Sequence, residues 1–246
     1  MKKLISLLLA VFMLCSVASA SEILFRDIPW GSNTLFVEKA VRGFAEGYVY
    51  TNDDTVLLYW SEDPFVDYFS AYTPYEAGWQ VSAYTDKLDV AGYPVRYVDA
   101  YCHYGIKDGY LSHDKKDGQF YQAVYTFDVI NIENTYSDLK TKLEQLYGLG
   151  KETVDEFSKV LYTNSDRIEY DVTQKVTIWT GDNGTSVMLC SSTSSRGIEK
   201  DLLNHVLSLK YGNTNANFTL EEVAYMIKNE HMIAEAKGAI SNFDGL

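Results

Sequence analysis

The spacing of apolar and polar positions changes period several times along this chain, and each change predicts an element. From Phe25 to Gly47 the residues FRDIPWGSNTLFVEKAVRGFAEG run extended through Pro29, turn at Gly31-Ser32, and then carry Leu35, Phe36, Val37, Ala40 and Val41 at helical spacing. Ser32 or Asn33 is placed to cap this helix and Gly43 to end it. GYVYTNDDTVLLYW then alternates on both sides of Asn52-Asp53-Asp54, which predicts a hairpin or a tight strand connection. Residues 61–87 mix Pro64, Pro74 and Gly78 with many aromatics, which predicts an ordered loop region with short helical or extended pieces rather than a linker.

From Leu88 the period is that of a strand. Val98, Ala100 and Cys102 form an apolar face, and Tyr97, Asp99, Tyr101 and His103 form an aromatic face with polar tips. Lys107-Asp108-Gly109 and HDKKDG (113–118) predict turns, and GQFYQAVYTFDV returns as a strand, so the pattern is an antiparallel meander. NTYSDLKTKLEQLYG (134–148) has the clearest helical period, through Leu139, Leu143, Leu146 and Tyr147. A second helix is expected from Lys151 to about Leu161. KVTIW and TSVML flank Gly181-Asp182-Asn183-Gly184 as a hairpin. RGIEKDLLNHVLSLKYG fits helix or strand equally, and TLEEVAYMIKNEHMIAEAK (219–237) predicts a last helix with Thr219 and Glu222 as its capping box. LEQLYG and LSLKYG echo each other without establishing a repeat. The fold class expected is α+β, an antiparallel β-sheet with helices packed mainly on one face.

Residues 1–20, MKKLISLLLAVFMLCSVASA, have the charged start, short apolar core and Ala18-Ser19-Ala20 ending of a secretory signal peptide, with cleavage expected between Ala20 and Ser21. An uncleaved anchor would need a longer apolar run, and lipid attachment at Cys15 would need smaller residues than Phe12-Met13-Leu14 before it. The expected product is a single α+β domain over 21–246, with two sub-domains meeting near 88 as the alternative. It is expected to be secreted or extracytoplasmic and monomeric, with no membrane span after cleavage.

Charge and cysteine content narrow the partners. The chain carries a net charge of −13, which becomes −15 once Lys2 and Lys3 leave with the signal, and such a surface repels nucleic acid and anionic lipid. Cys102 and Cys190 both sit in strand-like segments and could form a disulfide in an oxidising compartment or stand as two buried thiols.

The short signatures of dinucleotide, phosphate, acyl-transfer and metal chemistry are absent from the sequence. His103 and His113 with Asp108, Asp114 and Asp117 have metal-like composition, but their spacing matches no zinc or EF-hand pattern. Asp182-Asn183-Gly184 reads as turn chemistry. The 20 Tyr and 4 Trp could stack on sugars or peptides if exposed, or fill a core with Trp30, Trp60, Trp79 and Trp179 as anchors. No catalytic, cofactor-binding or metal-binding residues are therefore assigned, and no cofactor is expected.

FRDIPWGSN (25–33), VAGYPV (90–95), YSDLKTKLEQLYG (136–148) and KVTIWTGDNGTSVML (175–189) resemble segments of a group of uncharacterised secreted bacterial proteins. More distantly, Gly31, Ser32 and Val37, leading into a helix before antiparallel strands, are similar to small envelope modules of the BamE and β-lactamase-inhibitor-protein type. That resemblance implies a sheet used for protein contacts. The function expected is a non-catalytic exported binding or accessory protein whose partner is a protein or cell-wall glycan. The alternatives are a glycan-binding module using exposed Tyr and Trp, and a secreted hydrolase using Asp99 or Glu133 with His103.

Overall fold

The computed structural model describes residues 22–52, 78–162, 167–196 and 201–213, and beyond them 215, 222, 223, 225–229 and 232. The first helix, α1 (Thr34–Ala45), starts where the Asn33 side chain accepts the Phe36 N–H at 2.9 Å, and it closes at Glu46, which is left-handed. It thus runs two residues past Gly43. The second, α2 (Ile132–Tyr147), begins in the same way, Asn131 accepting from the Asn134 N–H, and ends as the Gly148 N–H reaches the Glu144 carbonyl.

The strands are β1 (Tyr48–Asn52), β2 (Gly78–Tyr84), β3 (Asp89–Val90), β4 (Tyr93–His103), β5 (Gly105–Lys107), β6 (Tyr110–Ser112), β7 (Gln119–Phe127), β8 (Lys151–Tyr162), β9 (Arg167–Thr180), β10 (Thr185–Arg196) and β11 (Asp201–Asn213). The antiparallel sheet runs β1-β2-β4-β7-β11-β10-β9-β8, with β3 paired to β4 and a separate β5–β6 hairpin. Mostly antiparallel sheet with a few helices places the chain in the α+β class.

This order contains an internal symmetry. Each edge leads inward through a four-stranded meander, β1-β2-β4-β7 and β8-β9-β10-β11, each meander follows one helix in the chain, and the two last strands meet at the centre. Counted from the caps Asn33 and Asn131, the first, fourth, eighth and twelfth residues are buried in both helices: Thr34, Val37, Val41 and Ala45 in α1, and Ile132, Thr135, Leu139 and Leu143 in α2. The LEQLYG and LSLKYG phrases fall in unlike elements, the end of helix α2 and the last half of strand β11.

Two expectations are corrected. Lys151–Tyr162 is strand β8, not a helix, and pairs with β9 from Lys151↔Ile178 to Tyr162↔Arg167. Its described faces, Glu152, Val154 and Glu156 against Lys151, Thr153 and Asp155, are both largely polar. That suits an edge strand and hides its period. Gly78–Tyr84, expected to lie within a loop region with only short helical or extended pieces, is the seven-residue strand β2, in which Trp79, Val81 and Ala83 are buried. Strand β1 pairs with β2, and the second arm of the hairpin or tight connection expected across Asn52–Asp54 lies outside the described residues. The ambiguous stretch resolves as β11, held between β7 and β10. Residues 53–77, Trp60 among them, lie outside the described residues, as do 1–21 and Thr219. The helical residues at 222, 223 and 225–229 fall within the expected last helix, and Val223 and Ile227 join the core.

One sheet face carries Val81, Val98, Ala100, Ala123, Leu189, Leu207 and Leu209, all within the main core cluster. At the centre of that face Phe25, fully buried, touches Phe44 of α1, Phe120 and Tyr125 of β7, and Tyr211 of β11, so it sits where the two meanders join. The turn that delivers it is strained. Arg26 and Asp27 both have positive φ, 51° and 57°, with no glycine to relieve them, while the Ile28 N–H closes on the Phe25 carbonyl at 2.9 Å. Arg26 offsets this by donating to the Tyr125 hydroxyl at 2.8 Å and lying over the Phe44 ring.

Cys102 and Cys190 are free, buried thiols. Cys102 belongs to the main core face, whereas Cys190 lies on the opposite face with Val176, Ile178 and Met188. With β7 and β11 between their strands and a register that sets Cys190 level with Tyr97, five residues from Cys102, their Cα atoms stand roughly 20 Å apart, far beyond what a disulfide spans. Burial pushes the Cys102 thiol up to about 12, so it remains protonated as a small hydrophobe.

Candidate functional site

The face opposite the main core is built from the alternate residues of the same strands. Register fixes its rows in the first meander: Tyr48↔Tyr84↔Tyr97, then Tyr50↔Ser82↔Asp99, then Asn52↔Gln80↔Tyr101. Neighbouring members of a row are one strand spacing apart, about 4.8 Å. Tyr48, Tyr50, Tyr84 and Tyr97 are all exposed, from 72% for Tyr48 down to 38% for Tyr97. Exposed rings gathered on one side of three adjacent strands are unlike singly scattered surface aromatics.

The rings are not coplanar. Tyr84 meets Tyr97 edge-on at 5.3 Å and 65°, and Tyr48 meets Tyr50 at 5.8 Å and 33°. Arg96, next to a register shift in β4, lies 5.3 Å from the Tyr97 ring centroid. Tyr97, Tyr84 and Asp128 hold its guanidinium firmly in the charged form. One row inward, Asp99 Oδ1 accepts from Gln80 Nε2 at 2.8 Å and from Ser82 Oγ at 2.6 Å. Its carboxylate is thereby fixed beside the rings. Next in the pattern, burial raises the Tyr101 hydroxyl above its ordinary value, and the charge of Asp99 adds to this.

His103 ends this strand. It is buried, its ring lies 5.8 Å from that of Tyr121, and its Nδ1 is 2.7 Å from the Tyr104 carbonyl. Burial lowers its proton affinity, with the carbonyl contact opposing, so the neutral ring with a proton on Nδ1 fits the site. His103 and Asp99 are four residues apart on one strand face, about 13 Å along the chain. Glu133 stands exposed in the first turn of α2. The three groups considered for hydrolysis therefore do not converge on a shared reacting atom.

The His–Asp cluster has local employment. His113 packs against Tyr104 at 4.4 Å, Asp117 accepts from Ser112 at 2.6 Å and pairs loosely with Lys107, Asp114 accepts the Lys116 N–H, and Asp108 shapes the β5–β6 turn. Among the described residues no group of three or more His, Cys, Asp or Glu side chains is arranged to hold a metal. Asp182-Asn183-Gly184 forms the β9–β10 turn, with Asn183 and Gly184 both at positive φ. Trp79 and Trp179 are buried anchors, and Trp30 stacks on Phe120 at 4.8 Å.

Sequence reasoning found the aromatic face of β4 and the strand carrying Tyr48 and Tyr50. Tyr84 is not legible as part of that face, because the Pro- and Gly-bearing run 61–87 reads as a loop region with short pieces. The alternation in GWQVSAY was the available signal.

The chain matches no protein-family model, no curated protein and no solved structure. Its function has to be argued from its own residues. Among the described residues, no helix is long and apolar enough to cross a membrane.

Proposed function

We propose that this chain is a non-catalytic binding or accessory protein, exported by cleavage between Ala20 and Ser21, and that it holds a partner on the tyrosine-bearing sheet face of its first meander. The observation that carries the reading is the group of four exposed rings, Tyr48, Tyr50, Tyr84 and Tyr97, on three adjacent strands beside a fixed carboxylate. Tyrosine supplies large contact area at low entropic cost and keeps a polar handle, which suits an exposed surface that must also be soluble.

In this reading the helices lie mainly on the main core face and leave the tyrosine face to the partner. The bond between the Tyr136 hydroxyl and Thr177 Oγ1 at 2.7 Å and the membership of Val37 and Val41 in the main core support that arrangement. The continuous sheet supports a single working unit over 21–246. The charged start, short apolar core and Ala18-Ser19-Ala20 ending of residues 1–20 favour an extracytoplasmic address.

The test uses the purified protein as bait in extracellular and envelope fractions of its host, in parallel with a bait carrying Tyr84→Ala and Tyr97→Ala. A partner retained by the first and lost by the second supports the reading. Equal retention by both baits, or retention by neither, overturns it. A glycan-binding module is the second reading, favoured by the same exposed rings, and retained polysaccharide would select it.

A further inference from the structure

We infer that the partner chemistry of the tyrosine face is cationic: the rows receive lysine or arginine side chains from a basic protein segment. This rests on the binding-protein reading above and names the class of partner. Ring geometry is the first argument. Sugar rings stack on flat, open aromatic faces, whereas Tyr84 and Tyr97 stand edge to face at 65° and Tyr48 and Tyr50 are tilted by 33°. In an edge-on pair one ring keeps a π face uncovered, and over it the charged end of a long side chain can lie.

A cation already occupies one of these rings, since the Arg96 guanidinium sits 5.3 Å from the Tyr97 centroid. Asp99, held by Gln80 and Ser82, places a fixed carboxylate one row inward, where an entering ammonium or guanidinium finds a charged acceptor. Around the outer row Glu46, Asp86 and Asp128 are exposed and outnumber Lys87 and Arg96. The net charge, −13 for the whole chain and −15 without Lys2 and Lys3, has the same sign, so the protein attracts a basic partner and repels a second copy of the chain or an anionic polymer.

The test titrates the purified protein with three probes, octalysine, octaglutamate and chitohexaose, by isothermal calorimetry at two salt concentrations. Tyr84→Ala with Tyr97→Ala removes two rings, Tyr84→Phe with Tyr97→Phe keeps them, and Tyr110→Ala removes a 73% exposed ring on β6 as a control. Octalysine is expected to bind more weakly as salt rises. The double Ala variant should lose about tenfold in affinity, while the Phe and Tyr110 variants bind like the unaltered protein. Octalysine binding that ignores the double Ala change, or chitohexaose binding that alone responds to it, overturns the cationic assignment. If the bait experiment still shows tyrosine-dependent capture, only the partner class falls and the binding face stands.

Discussion

The two meanders share a topology and differ in what they put on the face opposite the main core. In the first, β1, β2 and β4 present Tyr48, Tyr50, Tyr84 and Tyr97 to solvent around Asp99. In the second, β9 and β10 present Val176, Ile178, Met188 and Cys190, all buried. The connections differ as well. β9 and β10 join by the four-residue turn Gly181–Gly184, whereas the equivalent strands β2 and β4 are joined by residues 85–92, which include β3. The same frame has thus been used once to build apolar packing and once to build an amphipathic surface. Function is expected where the pattern departs from plain burial.

The largest effect should come from breaking the joint between the halves. Phe25→Ala empties a fully buried site among Phe44, Phe120, Tyr125 and Tyr211, and should cost about 3–5 kcal/mol in denaturant unfolding. Leu139→Ala, on the equivalent buried stripe of the second helix, should cost about 2–5 kcal/mol. Val41→Ala occupies the matching position of α1 and should cost less, because fewer methyl groups are removed. If the symmetry of the two units is real in energy, Asn33→Ala and Asn131→Ala should cost similar amounts, about 1 kcal/mol each. A cap that proves silent on one side only would show that the halves are alike in topology alone.

The smallest effect is a pH dependence confined to the first half. His103 has a folded-state proton affinity below that of the unfolded chain, so the unfolded state binds more protons as pH falls. The stability this neutral ring contributes is fully present above the unfolded value of about 6.5 and is lost as pH falls through the depressed folded value. His103→Gln should therefore flatten the stability profile between pH 7 and 5 relative to the unaltered protein. An unchanged slope would mean that His103 titrates alike in both states.

Much of this division was legible in the sequence, and the exceptions have physical causes. Alternation gave the two faces of β4, the Asn-Gly hairpin between β9 and β10, and both helices, because in each a half-buried surface imposed a clean period. The strand β8 was not legible, since Glu152, Asp155 and Glu156 leave neither face apolar, and its place was decided by pairing with β9. For β2, the Pro and Gly residues upstream obscured an alternation that was present. The symmetry of the helices was hidden because it is carried by burial at unlike residues, Val37 against Thr135 and Ala45 against Leu143. Of the candidate site, the aromatic face of β4 could be read directly. The register that aligns Tyr48, Tyr84 and Tyr97 could not.

The most direct test of the tyrosine face as the binding surface is amide hydrogen exchange on the protein with and without the partner retained by the bait. The account predicts added protection over 48–52, 80–84 and 96–101, with little change over 174–178 and 186–192. Protection confined to β9 and β10, with the tyrosine rows unchanged, would contradict it.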